Sequence, residues 1–98
     1  MMRKIVVEVV GVEPPCPRCR KALEVVYRAV KELGLEDRVS VVKLNANSQD
    51  VVAKYGTLLT PAIIVNGVVR VLGRVPDKDE VIDILKEAIR SEEGVEES

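Results

Sequence analysis

The chain has no histidine, tryptophan or phenylalanine, a single glutamine, and only two aromatic residues, Tyr27 and Tyr55. A core without Phe or Trp has to be aliphatic. Cysteine is scarce too, with Cys16 and Cys19 the only two. Two Cys and no His cannot supply the usual four-ligand zinc set from one chain. No apolar run is long enough to cross a bilayer. The opening MMRKIVVEVVG has a basic start and an apolar stretch, but it is short, carries Glu8, and leads to no small-residue cleavage site, so it does not read as a signal peptide. Neither sign of charge dominates, since 15 Lys and Arg face 16 Asp and Glu. The basic stripe of a nucleic-acid binder is missing. These absences predict a cytoplasmic protein with neither nucleic acid nor membrane as partner. No His and one Gln beside abundant Val, Glu, Lys and Arg point to a thermophile.

What is present is 98 residues, enough for one compact domain, of which 47% are hydrophobic. So much valine and isoleucine favours a sheet with helices on its faces. KIVVEVV, residues 4–10, reads as a strand buried on both sides. From Pro17 the pattern turns helical, with Cys19, Ala22, Leu23, Val26, Val30 and Leu33 on one stripe. Gly34 ends that helix. VSVVKL, 39–44, is a second strand. Ser48 or Asn47 caps a short helix with Val51, Val52 and Tyr55 facing inward, and Gly56 stops it. AIIVNGVVRVLG is a hairpin turning at Asn66-Gly67. Asp77 and Glu80 form a capping box for a last helix, with Val81, Ile82, Leu85, Ala88 and Ile89 buried. The order is β-α-β-α-β-β-α. Residues 1–91 form the domain, and the last seven, EEGVEES, form an acidic tail expected to fray into solvent.

The chemistry is concentrated in GVEPPCPRCRKALEVV, residues 11–26. Pro17 fits the first turn of a helix, where its missing N–H has no partner to lose. That makes Cys16 the N-cap. A thiolate there accepts the free N–H groups of Arg18 and Cys19 and feels the positive helix end, which lowers its pKa. Arg18, Arg20 and Lys21 crowd a first turn that ordinarily favours acids, and they favour a thiolate too. Cys19, one turn on, lies on the apolar stripe. An exposed thiolate beside a shielded thiol suits thiol–disulfide exchange. A disulfide across one turn is a weak structural staple, because its loop is so short. Copper(I) or zinc binding, with Cu(I) held between the two thiolates or a dimer pooling its pairs, stays open at this point.

A C-P-x-C opening a helix after the first strand, a Thr-Pro before the third strand, and a glycine-led turn into the last helix resemble the thioredoxin/glutaredoxin superfamily. The small archaeal and bacterial thioredoxin-like redox proteins resemble it most. The matching stretches are CPRCRKALEVVYRAVKELG, KYGTLLTPAIIVNG and VLGRVPDKDEV. The resemblance implies a thioredoxin fold, with a four-stranded mixed sheet in the order 2-1-3-4 and helices on both faces. It implies a monomeric protein-disulfide oxidoreductase with Cys16 and Cys19 catalytic, Pro17 and Arg18 tuning the thiolate, and no bound cofactor or metal. Disulfide-containing proteins would be its substrates and a thioredoxin-reductase-like protein its electron donor. It implies that Thr60-Pro61 is cis and shapes the substrate groove. Four positions depart from the pattern. Pro14 and Pro15 replace the aromatic motif of thioredoxins, Val10 replaces their buried acid, and Glu13 replaces a glutaredoxin lysine. Glu8 and Glu13 are the candidates for relaying a proton to Cys19.

Overall fold

The computed structural model describes residues 4–12, 14 and 16–92. The elements are β1 (Ile5–Gly11), α1 (Pro17–Glu32), β2 (Val39–Asn45), α2 (Gln49–Tyr55), β3 (Ala62–Val65), β4 (Val68–Leu72) and α3 (Lys78–Glu92). One sheet runs in the order β2-β1-β3-β4. β1 pairs in parallel with β2 and antiparallel with β3, and β3 pairs antiparallel with β4. This is the thioredoxin fold. α3 runs to Glu92, and residues 93–98, on which nearly all of the expected acidic tail falls, lie outside the described residues.

Local signals set most boundaries. α1 ends in a Schellman motif around Gly34, whose φ is +65°. The Gly34 N–H donates to the Lys31 carbonyl and the Leu35 N–H to that of Val30, each at 3.0 Å. Asn66 and Gly67 both have positive φ, +49° and +84°, as a type I′ hairpin turn requires. Asn66 also extends the pairing of β1. Its N–H donates to the Val6 carbonyl and its Oδ1 accepts the Val6 N–H, both at 2.9 Å. At α3 the Val81 N–H donates to the Asp77 carbonyl, so Asp77 is the N-cap.

The two sheet faces are unequally covered. On one, Ile5, Val7 and Val9 of β1 meet Ala22 and Val26 of α1 and Val81 and Leu85 of α3. On the other, Val10, Ala62 and Ile64 pack with Ala46 and with Val51 of α2. α2 is only seven residues long, so this second face is half covered. β1 is therefore not buried on both sides along its length: Val6 is 38% exposed. Val52 is also outside, 42% exposed, because one residue of helix turns it away from the Val51–Tyr55 stripe. α1 buries more than one stripe, adding Val25 and Ala29, since it packs on both the sheet and α3. In β4 an irregularity leaves Arg70 out of register between Val69 and Val71. Its guanidinium meets Glu87 of α3 at 2.7 Å. Among the described residues no helix is long and apolar enough to cross a membrane.

Candidate active site

The site begins where β1 hands over to α1. Cys16 is the N-cap, with extended backbone (φ −79°, ψ 166°), and Pro17 follows at N1. The Cys16 Sγ accepts the Cys19 N–H at 3.4 Å. Both thiols are unlinked, and their sulfurs lie 3.1 Å apart, within hydrogen-bond range. The two are unequal: Cys16 is half-buried and Cys19 is only 5% exposed. The Cys16 thiol is held below its ordinary pKa. The first cause is the hydrogen bond from the Cys19 thiol, followed by the Cys19 N–H; partial burial opposes them, and the Arg18 N–H adds to the lowering. With Cys16 as thiolate, Cys19 is the donor between the sulfurs.

The side chains of the three cations of this turn have surroundings of their own. Arg18 contributes its backbone N–H to the thiolate, while its guanidinium donates to the Gly73 carbonyl at 2.9 Å. Lys21 lies 3.6 Å from Glu24, one turn along α1. Arg20 borders a shallow surface groove with Leu23 and Tyr27. Arg18 is thus a clasp between α1 and the β4–α3 turn.

That clasp reaches the second predicted feature. The Gly73 N–H donates to the Pro61 carbonyl at 2.8 Å. The Thr60-Pro61 bond is cis; Pro61 is fully buried and Thr60 half-exposed. Arg18, Gly73 and Pro61 therefore form a hydrogen-bonded chain from the cysteine helix to the start of β3. Sequence reasoning placed Gly73 but missed its bridging role. It also missed Leu59, which is 67% exposed and packed so close that a Cβ on Gly73 would lie 3.1 Å from its Cβ. The signal for Leu59 was the Leu58-Leu59 pair ahead of Thr60, in which Leu58 turns toward the α2-side core.

The proton-relay candidates fare differently. Glu8 shares the α2 face of β1 with Val10, across the sheet from α1. Its Oε1 accepts the Tyr55 hydroxyl at 2.6 Å. That bond, then burial, pushes the Tyr55 phenol up. Glu8 is a partner of α2, not of Cys19. Glu13 and Pro15 lie outside the described residues. Val10 is fully buried among aliphatic neighbours. Among the described residues no group of three or more acidic or Cys side chains is placed to hold a metal ion.

A thioredoxin-domain family model matches residues 5–86. The chain belongs to the thioredoxin family. A probable thioredoxin of Methanothermobacter thermautotrophicus is 37% identical over 75 residues, covering 76% of this chain and 85% of that relative. One of Methanothermobacter marburgensis is 38% identical over 77 residues, covering 78% and 87%. Both come from thermophilic archaea, in line with the composition. Among solved structures, thioredoxin-2 of the malaria parasite, a component of its protein secretion machinery, aligns with a TM-score of 0.65 at 16% identity, over 89% of this chain and 85% of that one. A mutant thioredoxin of Halobacterium salinarum aligns at 0.54 and 19%, over 92% and 75%. These two alignments speak for the fold. The thioredoxin relatives support thiol–disulfide oxidoreduction as the class of activity.

Proposed function

We propose that this thioredoxin-family chain exchanges disulfides with proteins, with Cys16 as nucleophile and Cys19 as resolving thiol. The observation that carries this reading is the inequality of the pair, an N-cap sulfur with a lowered pKa 3.1 Å from a buried thiol. The Cys16 thiolate attacks one sulfur of a substrate disulfide. A Cys16–substrate bond forms as the substrate's own bond breaks, and its second sulfur leaves and takes a proton. Cys19 then gives up its proton and attacks the Cys16 sulfur. The Cys16–Cys19 disulfide forms and the substrate's first sulfur leaves. The pair gives the substrate two electrons, and the substrate's two sulfurs take up two protons, one from Cys19 and one from solvent. A thioredoxin-reductase-like dithiol protein restores the pair, so no bound cofactor is required. Thr60 offers its backbone to an extended substrate segment like an added strand, in a groove braced through Gly73 and Arg18. The protein works as a monomer in the cytoplasm.

Trapping tests the assignment. Cys19→Ser should accumulate mixed disulfides with a disulfide-bonded protein such as insulin, and Cys16→Ser should accumulate none. Trapping through Cys19 instead, or tight copper or zinc binding by the reduced chain without reduction of insulin, would overturn it.

A further inference from the structure

β1 ends on Gly11, beneath the first turn of α1. Nothing in the backbone conformation there calls for glycine, since Gly11 is absent from the positive-φ residues. Glycine in a strand gives up side-chain packing and costs conformational entropy. The reason for it is Cys19. A Cβ built on Gly11 would lie 3.0 Å from the Cys19 Cβ and 3.1 Å from its Sγ, inside the roughly 3.5–4.0 Å of a comfortable carbon contact. The strand cannot easily back away, because the Gly11 carbonyl accepts the Ala46 N–H at 2.8 Å. Nor is there much room for the sulfur to retreat. The cavity beside it, bounded by Val9, Gly11, Arg20, Leu23 and Lys43, holds about 20 Å³, roughly the space of one water.

We propose that Gly11 is a positioning residue. By leaving its side-chain space to Cys19, it sets where that sulfur sits and therefore the 3.1 Å approach of the two thiols. A methyl at position 11 drives the Cys19 sulfur off its place and lengthens the contact that holds Cys16 as a thiolate and lines up the resolving attack. The proposal deepens the redox reading above, but its main readout is a thiol titration that needs no protein substrate. It therefore stands or fails separately from the reduction of insulin.

The test is Gly11→Ala in the full chain, with Cys16 followed by thiolate absorbance and by alkylation against pH. The midpoint is expected to move up toward the ordinary thiol value of about 8.5. Alkylation of Cys16 at neutral pH should slow by about threefold or more. The same substitution is then made in a Cys19→Ala background, where it should leave the Cys16 midpoint unchanged. An unchanged midpoint in Gly11→Ala alone, or the same upward shift in both backgrounds, overturns the proposal, because the methyl would then act without the Cys19 sulfur. If Gly11→Ala does not fold, the unsubstituted protein answers by NMR. A nuclear Overhauser contact between the Gly11 Hα and the Cys19 Hβ protons supports the packing, and its absence overturns it.

Discussion

At Cys16 a sulfur takes the place that Ser, Thr, Asp or Asn ordinarily holds at a helix start. Sulfur is a weak acceptor until it ionises, so the cap strengthens when the thiolate forms, and the folded chain favours that form. The sign follows. The lowered pKa of Cys16 contributes stability to the reduced protein that is fully present above the unfolded thiol's value, about 8.5. It is lost as pH falls through the lower folded value. The urea-unfolding free energy of the reduced protein should accordingly rise relative to Cys16→Ala across that window. In the same window Cys16 should react with iodoacetamide about tenfold or more faster than Cys19, which is buried. Equal rates would remove the asymmetry on which the mechanism depends. This much was legible in sequence, because Pro17 and the three-residue spacing are local. The destination of the Arg18 guanidinium was not, since Gly73 lies 55 residues away.

Among the elements, those that start and stop on short-range chemistry were readable: α1 from Pro17 to Gly34, α2 from Ser48 to Gly56, the hairpin at Asn66-Gly67. Features decided by a distant neighbour were not. Val52 sits outside because α2 has one covered side. Arg70 drops out of register in β4, toward Glu87 of α3. Glu80 takes the Asp77 N–H as a capping box predicts, yet its carboxylate is held below its usual pKa chiefly by a bidentate pair with Arg74. The Arg18–Gly73–Pro61 chain belongs to this class and sets the geometry between α1 and the start of β3. Arg18→Ala removes one hydrogen bond from a charged donor at an exposed site, which is expected to cost about 1 kcal/mol. Because Arg18 adds to the tuning only through its backbone N–H, behind the Cys19 thiol and N–H, the Cys16 titration should stay where it is, while amide exchange at Gly73 quickens. An upward shift of the Cys16 titration would show that the guanidinium acts on the thiolate after all.

For the molecule as a whole, one sheet separates two cores that differ in size. The α1/α3 side contains Leu85, Val26 and Ile63, all but fully buried, and the α2 side rests on Val10, Ala62 and Ile64 under a single short helix. The larger core is built from both ends of the chain, α1 and α3, and so ties them into one cooperative unit. The smaller adds little area, and α2 gains its remaining hold from the Tyr55–Glu8 bond. Removing side-chain volume should therefore have different consequences on the two faces. Leu85→Ala, at a fully buried position, is expected to lower the unfolding free energy by about 2–5 kcal/mol. It should speed the slowest-exchanging amides of β1 and β3, because those open only with the whole fold. Val51→Ala deletes two buried methyl groups' worth of contact, about 1–2 kcal/mol. Its effect should appear mainly in α2, as local opening, with β1 and β3 amides slowed or quickened far less than in Leu85→Ala. Hydrogen exchange on the two variants separates the cases. If Val51→Ala quickens β1 and β3 as much as α2, the two faces open together. The candidate active site, which lies at the start of α1, would then be only as stable as the short helix behind the sheet.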